Sequence, residues 1–330
     1  MNNNVIELDY DSVFIDYLSM TSAIDCRCIP YKPKAFKQQF SLHEKHKFKK
    51  SEACINKCKC KDNKCKNSKV RNLLKFYDYL FFIKLSKKRG VYAVLCLQPT
   101  PFLKSLDNDP AFLRLEFNPS KMVDQYYRRL LKRLVALFGR SLAPMILDKA
   151  IVTRHDPAID LPDLDVYSFM FHAANKQQSE LLGTKDNGTT LYLGKRKGSG
   201  SNSLYRLYPK LQEMDYRGQL YFSDYDEVLR IEHCNKNRIP LHKLADQPSP
   251  FSSLKVYTDF TDDDRFSSSF IKRCKRYGIP DALHKIKCNK RRRRYLRWME
   301  KYEVKLLDHD DLKTQFKEVT QKLLKNLGVE

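Results

Sequence analysis

Apolar and polar positions alternate in short runs through residue 236, then switch to a helical spacing beyond residue 264. Runs of the first kind read as strands at 12–20, 91–97, 112–117, 151–160 and 228–234. Two more, 190–196 and 204–210, flank Gly198, Ser199, Gly200, Ser201, Asn202 and Ser203, the composition of a β-hairpin turn. Pro119 and Ser120 precede a helix over 121–139, where Met122, Tyr126, Leu130, Leu134 and Phe138 fall on one stripe. A further helix is predicted at 165–175. Strand–helix–strand order thus occurs twice, around 112–160 and 151–232. Leu113, Arg114, Leu115 and Glu116 are echoed by Leu229, Arg230, Ile231 and Glu232, which hints at an internal duplication. The expected fold is α+β: an antiparallel-rich sheet with helices packed on one side and one open face.

Beyond Pro248 and Pro250, which with their serines suggest a linker, the pattern is helical. A helix at 267–277 ends at Gly278, Pro280 opens a short second one, and 290–302 is a third. Asp308 or Asp310 can cap a last helix carrying Leu312, Phe316, Val319, Leu323 and Leu327. Two domains are expected: residues 1–245, and a linker plus small basic helical domain over 246–330. Residues 26–70 stand apart as a lysine-rich insertion holding Cys26, Cys28, Cys54, Cys58, Cys60 and Cys65. With His43 and His46, these offer four tetrahedral ligands for a structural Zn²⁺, against a flexible loop with incidental thiols.

Charge changes the picture most. The chain of 330 residues has a formal net charge of +23, which predicts a polyanionic partner, nucleic acid above all. Apolar residues make up 42 %, with 19 Phe and 19 Tyr, too many for a disordered chain. No run of about 18 uninterrupted apolar residues exists, so no membrane partner is expected. Ten cysteines in a large basic chain without an export signal read as reduced thiols, and the expected setting is cytoplasmic. Lys290, Arg291, Arg292, Arg293, Arg294 and Arg297 form the densest basic run, beside Tyr295 and Trp298 for apolar anchoring or stacking. With Arg196 they are the candidate DNA contacts.

Strand alternation places Arg154, Asp156, Ala158 and Asp160 on one face, Arg230, Glu232 and Cys234 on one face, and Arg206, Tyr208 and Lys210 on another. If these faces coincide, carboxylates converge near a tyrosine and several cations. A hard divalent ion takes oxygen ligands of this kind. His155 can face the other side of its strand as a core histidine.

Taken in order, the segments 113–121, 152–160, 190–210 and 229–236 resemble the replication initiators of rolling-circle plasmids and the related replication proteins of filamentous phages. The carriers are Arg114, Glu116, Phe117, Asn118 and Pro119; Arg154, Asp156, Ala158 and Asp160; Tyr192, Gly194 and Arg196 followed by Arg206, Tyr208 and Lys210; and Arg230 with Glu232. The resemblance implies a metal-dependent nicking and rejoining enzyme acting at a DNA origin. Its nucleophile is Tyr208, with Arg206 and Lys210 beside it, and Tyr205, Tyr192 and Tyr216 as weaker candidates. Asp156, Asp160 and Glu232 would hold Mg²⁺ or Mn²⁺, and a host DNA helicase and polymerase would be partners. The acid that follows the family's tyrosine is Pro209 here, so Glu213 or Asp215 would have to substitute. A proline there also predicts an edge strand or bulge. The alternative is a non-catalytic DNA-binding protein that keeps the fold.

Overall fold

The computed structural model describes residues 6–7, 12–23, 41–44, 73, 76–86, 91–99, 112–174, 176–183, 189–196, 203–218 and 221–329. The chain divides into two compact units. An N-unit comprises Asp16–Arg154, Arg238–Leu244 and Gln321–Glu330; a C-unit comprises Met1–Ile15, His155–Asn237 and Ala245–Thr320. The proposed division at residue 245 therefore does not separate these units, since Ala245–Thr320 compacts with His155–Asn237.

After a short strand β1 (Ile6–Glu7), the N-unit is built from β2 (Phe14–Ser22), β3 (Ser41–Glu44), β4 (Tyr77–Lys84), β5 (Tyr92–Pro99) and β6 (Leu113–Phe117). These lie in the order β3-β4-β5-β6-β2, and all neighbours are antiparallel. The segment expected as an insertion thus supplies a sheet strand, β3. Cys26, Cys28, Cys54, Cys58, Cys60, Cys65 and His46 lie outside the described residues, and of His43 only the backbone is described. Helix α1 (Asp124–Asp148) follows β6 and buries Tyr126, Leu130, Leu134 and Phe138 of the expected stripe. Gly139, where that helix was expected to end, breaks it with φ 85° and ψ 167°, and the chain then re-enters helix up to Asp148.

The C-unit sheet uses β7 (Ile151–Pro162), β9 (Ser179–Leu182), β10 (Thr190–Leu193), β11 (Ser203–Pro209) and β13 (Val228–Asn235), in the order β7-β13-β11-β10-β9. All of these neighbours are antiparallel. In each unit the first strand lies next to the last, and the others follow in reverse sequence order. The duplication hinted at by the two Arg-x-Glu segments is therefore a duplication of topology, with β6 and β13 in matching places.

Between β7 and β9, the predicted helix at 165–175 is absent: a turn at Asp165–Ser168 leads into strand β8 (Met170–Ala173). Asp165 resembles a helix cap in sequence but closes a local turn, accepting the Tyr167 N–H at 2.6 Å while its own N–H reaches Ser168 Oγ at 2.9 Å. Helix α2 (Lys210–Tyr216) and β12 (Tyr221–Phe222) follow β11, and β12 pairs with β1. After β13 come β14 (Ile239–Pro240), which pairs with the start of β7, and β15 (Leu254–Tyr257). The helices are α3 (Ser268–Tyr277), α4 (Ile279–His284), α5 (Asn289–Met299) and, after β16 (Glu303–Val304), α6 (His309–Leu327). Asp308 caps α6, accepting the N–H groups of Asp310 and Asp311 at 3.1 Å each.

One face of the C-unit sheet is apolar. Ile159, Leu161, Leu193, Leu207, Leu229 and Ile231 pack there with Phe171, Phe251, Leu254 and Phe316. The segment expected as a linker is part of this core: Phe251 is fully buried, and the Pro250 carbonyl accepts the Tyr205 hydroxyl at 2.6 Å. Strand β15 pairs with both β8 and β16. The C-terminal helices α3, α4 and α5 enclose an aromatic cluster of Phe260, Phe266, Phe270 and Tyr295.

Candidate functional site

Because the apolar residues of β7, β11 and β13 turn to the core, alternation forces the intervening residues to the other face. The register makes the consequence specific. Arg206 lies opposite Glu232, Tyr208 opposite Arg230, and Arg230 opposite Asp160. With Glu232 opposite Ala158 and Asn235 opposite His155, the same register sets Cys234 across from Asp156. Phenol, acids and guanidinium groups therefore meet on one face, as the alternation predicted. That face is not open, however. Asp160 is 0 % exposed, Glu232 1 %, Asp156 3 % and Tyr208 5 %.

Glu232 is the hub. Its Oε1 accepts the Tyr208 hydroxyl, and its Oε2 pairs with Arg206 Nη2 at 2.6 Å. Arg206 also lies over the Tyr208 ring, 4.8 Å from the centroid, with Nη2 3.5 Å from the phenol oxygen. Burial and then the Glu232 charge push the Tyr208 phenol well above its usual pKa, more than Arg230 and Arg206 pull it down. Burial pulls the Arg206 guanidinium down, but Glu232 and Tyr208 beside it hold it above its usual value. Arg206 Nε is a buried N–H with no acceptor among the described residues.

Of the three expected metal ligands, Asp160 is engaged differently. Arg230 holds it in a fork, Nε to Oδ1 at 2.6 Å and Nη2 to Oδ2 at 2.5 Å. Such a bidentate pair satisfies a buried carboxylate, and Asp160 is not among the donors that converge with Glu232. Asp156 and Glu232 do converge, and Cys234 joins them: the three donor atoms lie within 4.8 Å of one another, all buried. Among the described residues this is the one group of at least three His, Cys, Asp or Glu side chains close enough for an ion.

Lys210 opens α2 and bonds Glu213 Oε2 at 2.8 Å; Glu213 also binds Arg217. Glu213, considered as a stand-in for the missing acid, is thus committed to two cations on its own helix. Pro209 ends β11 and caps α2 with φ −69°. Contrary to the edge-strand expectation, β11 is internal, and the proline is tolerated at the strand end, one position past the first residue of β10. Among the weaker tyrosines, Tyr205 lies on the core face with its hydroxyl bonded to Pro250 and Ser253. Tyr216 is 93 % exposed on α2. Tyr192 shares the site face, opposite both Arg206 and Glu180, with Arg196 over its ring at 5.2 Å. Arg196 also pairs with Glu180 at 3.3 Å. His155 is a core histidine, stacked on Phe316, and burial lowers its pKa to about 4.

A second basic region lies on α3, α4 and α5. Lys290, Arg291, Arg293, Arg294 and Arg297 are exposed. Arg292 is not a phosphate contact in waiting: it donates to the carbonyls of Leu283 and Ile286 at 3.1 and 2.8 Å, closing the end of α4. Tyr295 and Trp298 stack on each other and pack on Phe266, so they anchor the helix rather than present a stacking platform. Lys272, Arg276, Lys285, Lys287 and Arg291 line a cleft of about 650 Å³ between these helices. Four of these cations fall outside the basic run; the spacing of Lys272 and Arg276 on one helix is the signal that marks them. Among the described residues, no helix is long and apolar enough to cross a membrane.

No protein-family model matches the chain, and no curated protein matches it.

Proposed function

We propose that this chain is a rolling-circle replication initiator that nicks and rejoins DNA through Tyr208. The carrying observation is the contact of the Tyr208 phenol with the Glu232 carboxylate, with Arg206 on the second carboxylate oxygen. A phenol with a pKa of about 10 is a poor nucleophile at neutral pH and needs a base beside it. Glu232 supports that role because it already accepts the hydroxyl. On this reading the Tyr208 oxygen attacks the scissile phosphorus as its proton passes to Glu232, and the P–O3′ bond breaks. Once the leaving O3′ takes up a proton from water, the products are a 5′-phosphotyrosine and a 3′-hydroxyl that a polymerase can extend. Rejoining reverses both bond changes without ATP. The Arg206 Nε–H, without an acceptor among the described residues, would donate to a phosphate oxygen and add charge stabilisation where the transition state develops it.

Asp156 and Glu232 suit a divalent cation, Mg²⁺ or Mn²⁺ in this reading, which when bound would polarise the phosphate and steady the leaving oxygen. Bulk DNA affinity would come from the exposed cations of α5 and the cleft beside it, through phosphate contacts without sequence preference.

A second reading, a DNA-binding protein that keeps the fold without the chemistry, is favoured by the 5 % exposure of Tyr208 and by Pro209 in the acid position. Supercoiled DNA carrying the origin, incubated with Mg²⁺ or Mn²⁺, separates the two. The nicking reading expects relaxed circles and a denaturation-resistant protein–DNA adduct, lost in Tyr208→Phe. Binding without adduct in the wild type supports the second reading, and an adduct that survives Tyr208→Phe moves the nucleophile elsewhere.

A further inference from the structure

The ligand set that β7 and β13 assemble is not the all-oxygen set of a magnesium site. Asp156 and Glu232 are joined by the Cys234 thiol, and the three donor atoms lie within 4.8 Å of one another. Ligands on opposite sides of a bound ion stand about 4.4 Å apart, from metal–oxygen and metal–sulfur distances of roughly 2.1 and 2.3 Å. The donors thus span at most slightly more than a bound ion would allow, and a small inward shift would bring all three onto one ion. All three sit on paired, internal strands, where position is held far better than on a loop.

We propose that Cys234 is a third ligand of the ion at this site, and that the site selects a first-row transition ion such as Mn²⁺, Co²⁺ or Zn²⁺ over Mg²⁺. This rests on the reading of the same face as a metal-dependent nicking site. Mg²⁺ demands oxygen donors and gives up its waters reluctantly, so a thiolate gains it little. Thiolate affinity rises along the transition series, and two carboxylates beside one sulfur fit its borderline members. Binding releases the Cys234 thiol proton to solvent as the sulfur–metal bond forms. The competing view is that Cys234 is only a small buried packing residue, the commonest role of a thiol that is 6 % exposed.

Cobalt distinguishes the two, because a thiolate bound to Co²⁺ gives a near-ultraviolet charge-transfer band that carboxylates do not. The full chain titrated with Co²⁺ is expected to show the band, and Cys234→Ser to lose it with at least about tenfold weaker Co²⁺ binding. The paired change Cys54→Ser with Cys58→Ser should leave the band in place, since those thiols belong to the rival cysteine-rich segment; a band lost there instead would overturn the proposal. Should Cys234→Ser fail to fold, Asp156→Asn is the second variant, in which the Cys234 band should need at least about tenfold more Co²⁺. Co²⁺ binding with no band, a band indifferent to Cys234→Ser, or equal competition by Mg²⁺ would each overturn the proposal. Nicking assays run alongside keep the two claims apart. An ion held through Cys234 without nicking leaves the ligand set standing and sinks the nuclease reading. Nicking supported by Mg²⁺ and untouched by Cys234→Ser does the reverse.

Discussion

In the C-unit sheet, the row of residues crossing Glu232 reads Glu180, Tyr192, Arg206, Glu232. The matching row of the N-unit sheet, found by the shared strand order, reads Phe82, Val94, Glu116. One row along, Cys96 and Leu80 stand where Tyr208 and Thr190 do, and Tyr17 and Thr21 stand where Asp156 and Asp160 do. The Arg-x-Glu pair survives in both: Arg114 Nε bonds Glu116 Oε1 at 2.7 Å, with Glu116 only 1 % exposed. The N-unit keeps a phenol and guanidinium groups around this acid, since the Tyr17 hydroxyl bonds Glu116 and Arg154 lies over the Tyr17 ring at 4.8 Å, but it puts the apolar Leu80, Val94 and Cys96 where the C-unit has Thr190, Arg206 and Tyr208. The difference teaches that the Arg-x-Glu strand belongs to the architecture. The neighbouring strands decide whether there is chemistry. A motif search on Arg-x-Glu alone would have marked two sites.

The largest effect that can break this comparison is on chemistry. Tyr208→Phe should abolish adduct formation, a loss of at least about 10³-fold in nicking rate, whereas Tyr17→Phe in the N-unit should leave nicking within about twofold. Equal losses would mean that both sheets carry the reaction. Next comes stability. Glu116→Gln and Glu232→Gln each leave an arginine without its buried partner and should cost about 3–5 kcal/mol in urea unfolding. Only Glu232→Gln should also weaken metal binding. Phe316→Ala, which opens the C-unit core, should cost a similar 3–5 kcal/mol with no selective effect on the ion.

A smaller effect is expected from pH. Burial lowers His155 and His172 to about 4 and His233 to about 3, all on residues of the C-unit. A depressed folded pKa contributes stability that is present above the unfolded value of about 6.5 and is lost as pH falls towards 4. Melting curves between pH 7 and 4 should fall, and His155→Phe should flatten part of that slope; an unchanged slope would refute the buried neutral ring. Smallest is the basic helix. Arg293→Gln should lower the slope of log affinity against log salt by about one, with no change in melting temperature. Arg292→Gln should do the opposite, costing about 1–3 kcal/mol of stability and little affinity.

Alternation made the site face legible in advance, because Asp156, Glu232 and Tyr208 lie on strands whose core residues are unambiguous. Two things were not legible. Cross-strand pairing decides which acid meets which cation, so the fork between Arg230 and Asp160 could not be read from either strand alone. Turn chemistry can imitate a helix start, as Asp165 did before β8. The prolines at 248 and 250 misled for a related reason. They read as a linker, yet the hydroxyl of Tyr205 ties that stretch into the core, a contact between residues 45 positions apart.

Gly278 joins α3 to α4 with φ 87°, and a Cβ there would meet Ser179 Oγ at 2.9 Å; the Asp281 N–H donates to the same hydroxyl at 3.1 Å. The basic helices are thereby clamped to β9, the outermost strand of the sheet that presents Tyr208. A duplex gripped by α5 would consequently lie at a set number of bases from the phenol. On the proposed reading this clamp acts as a ruler: loosening it with Gly278→Val would blur where the strand is cut before it slows the cutting.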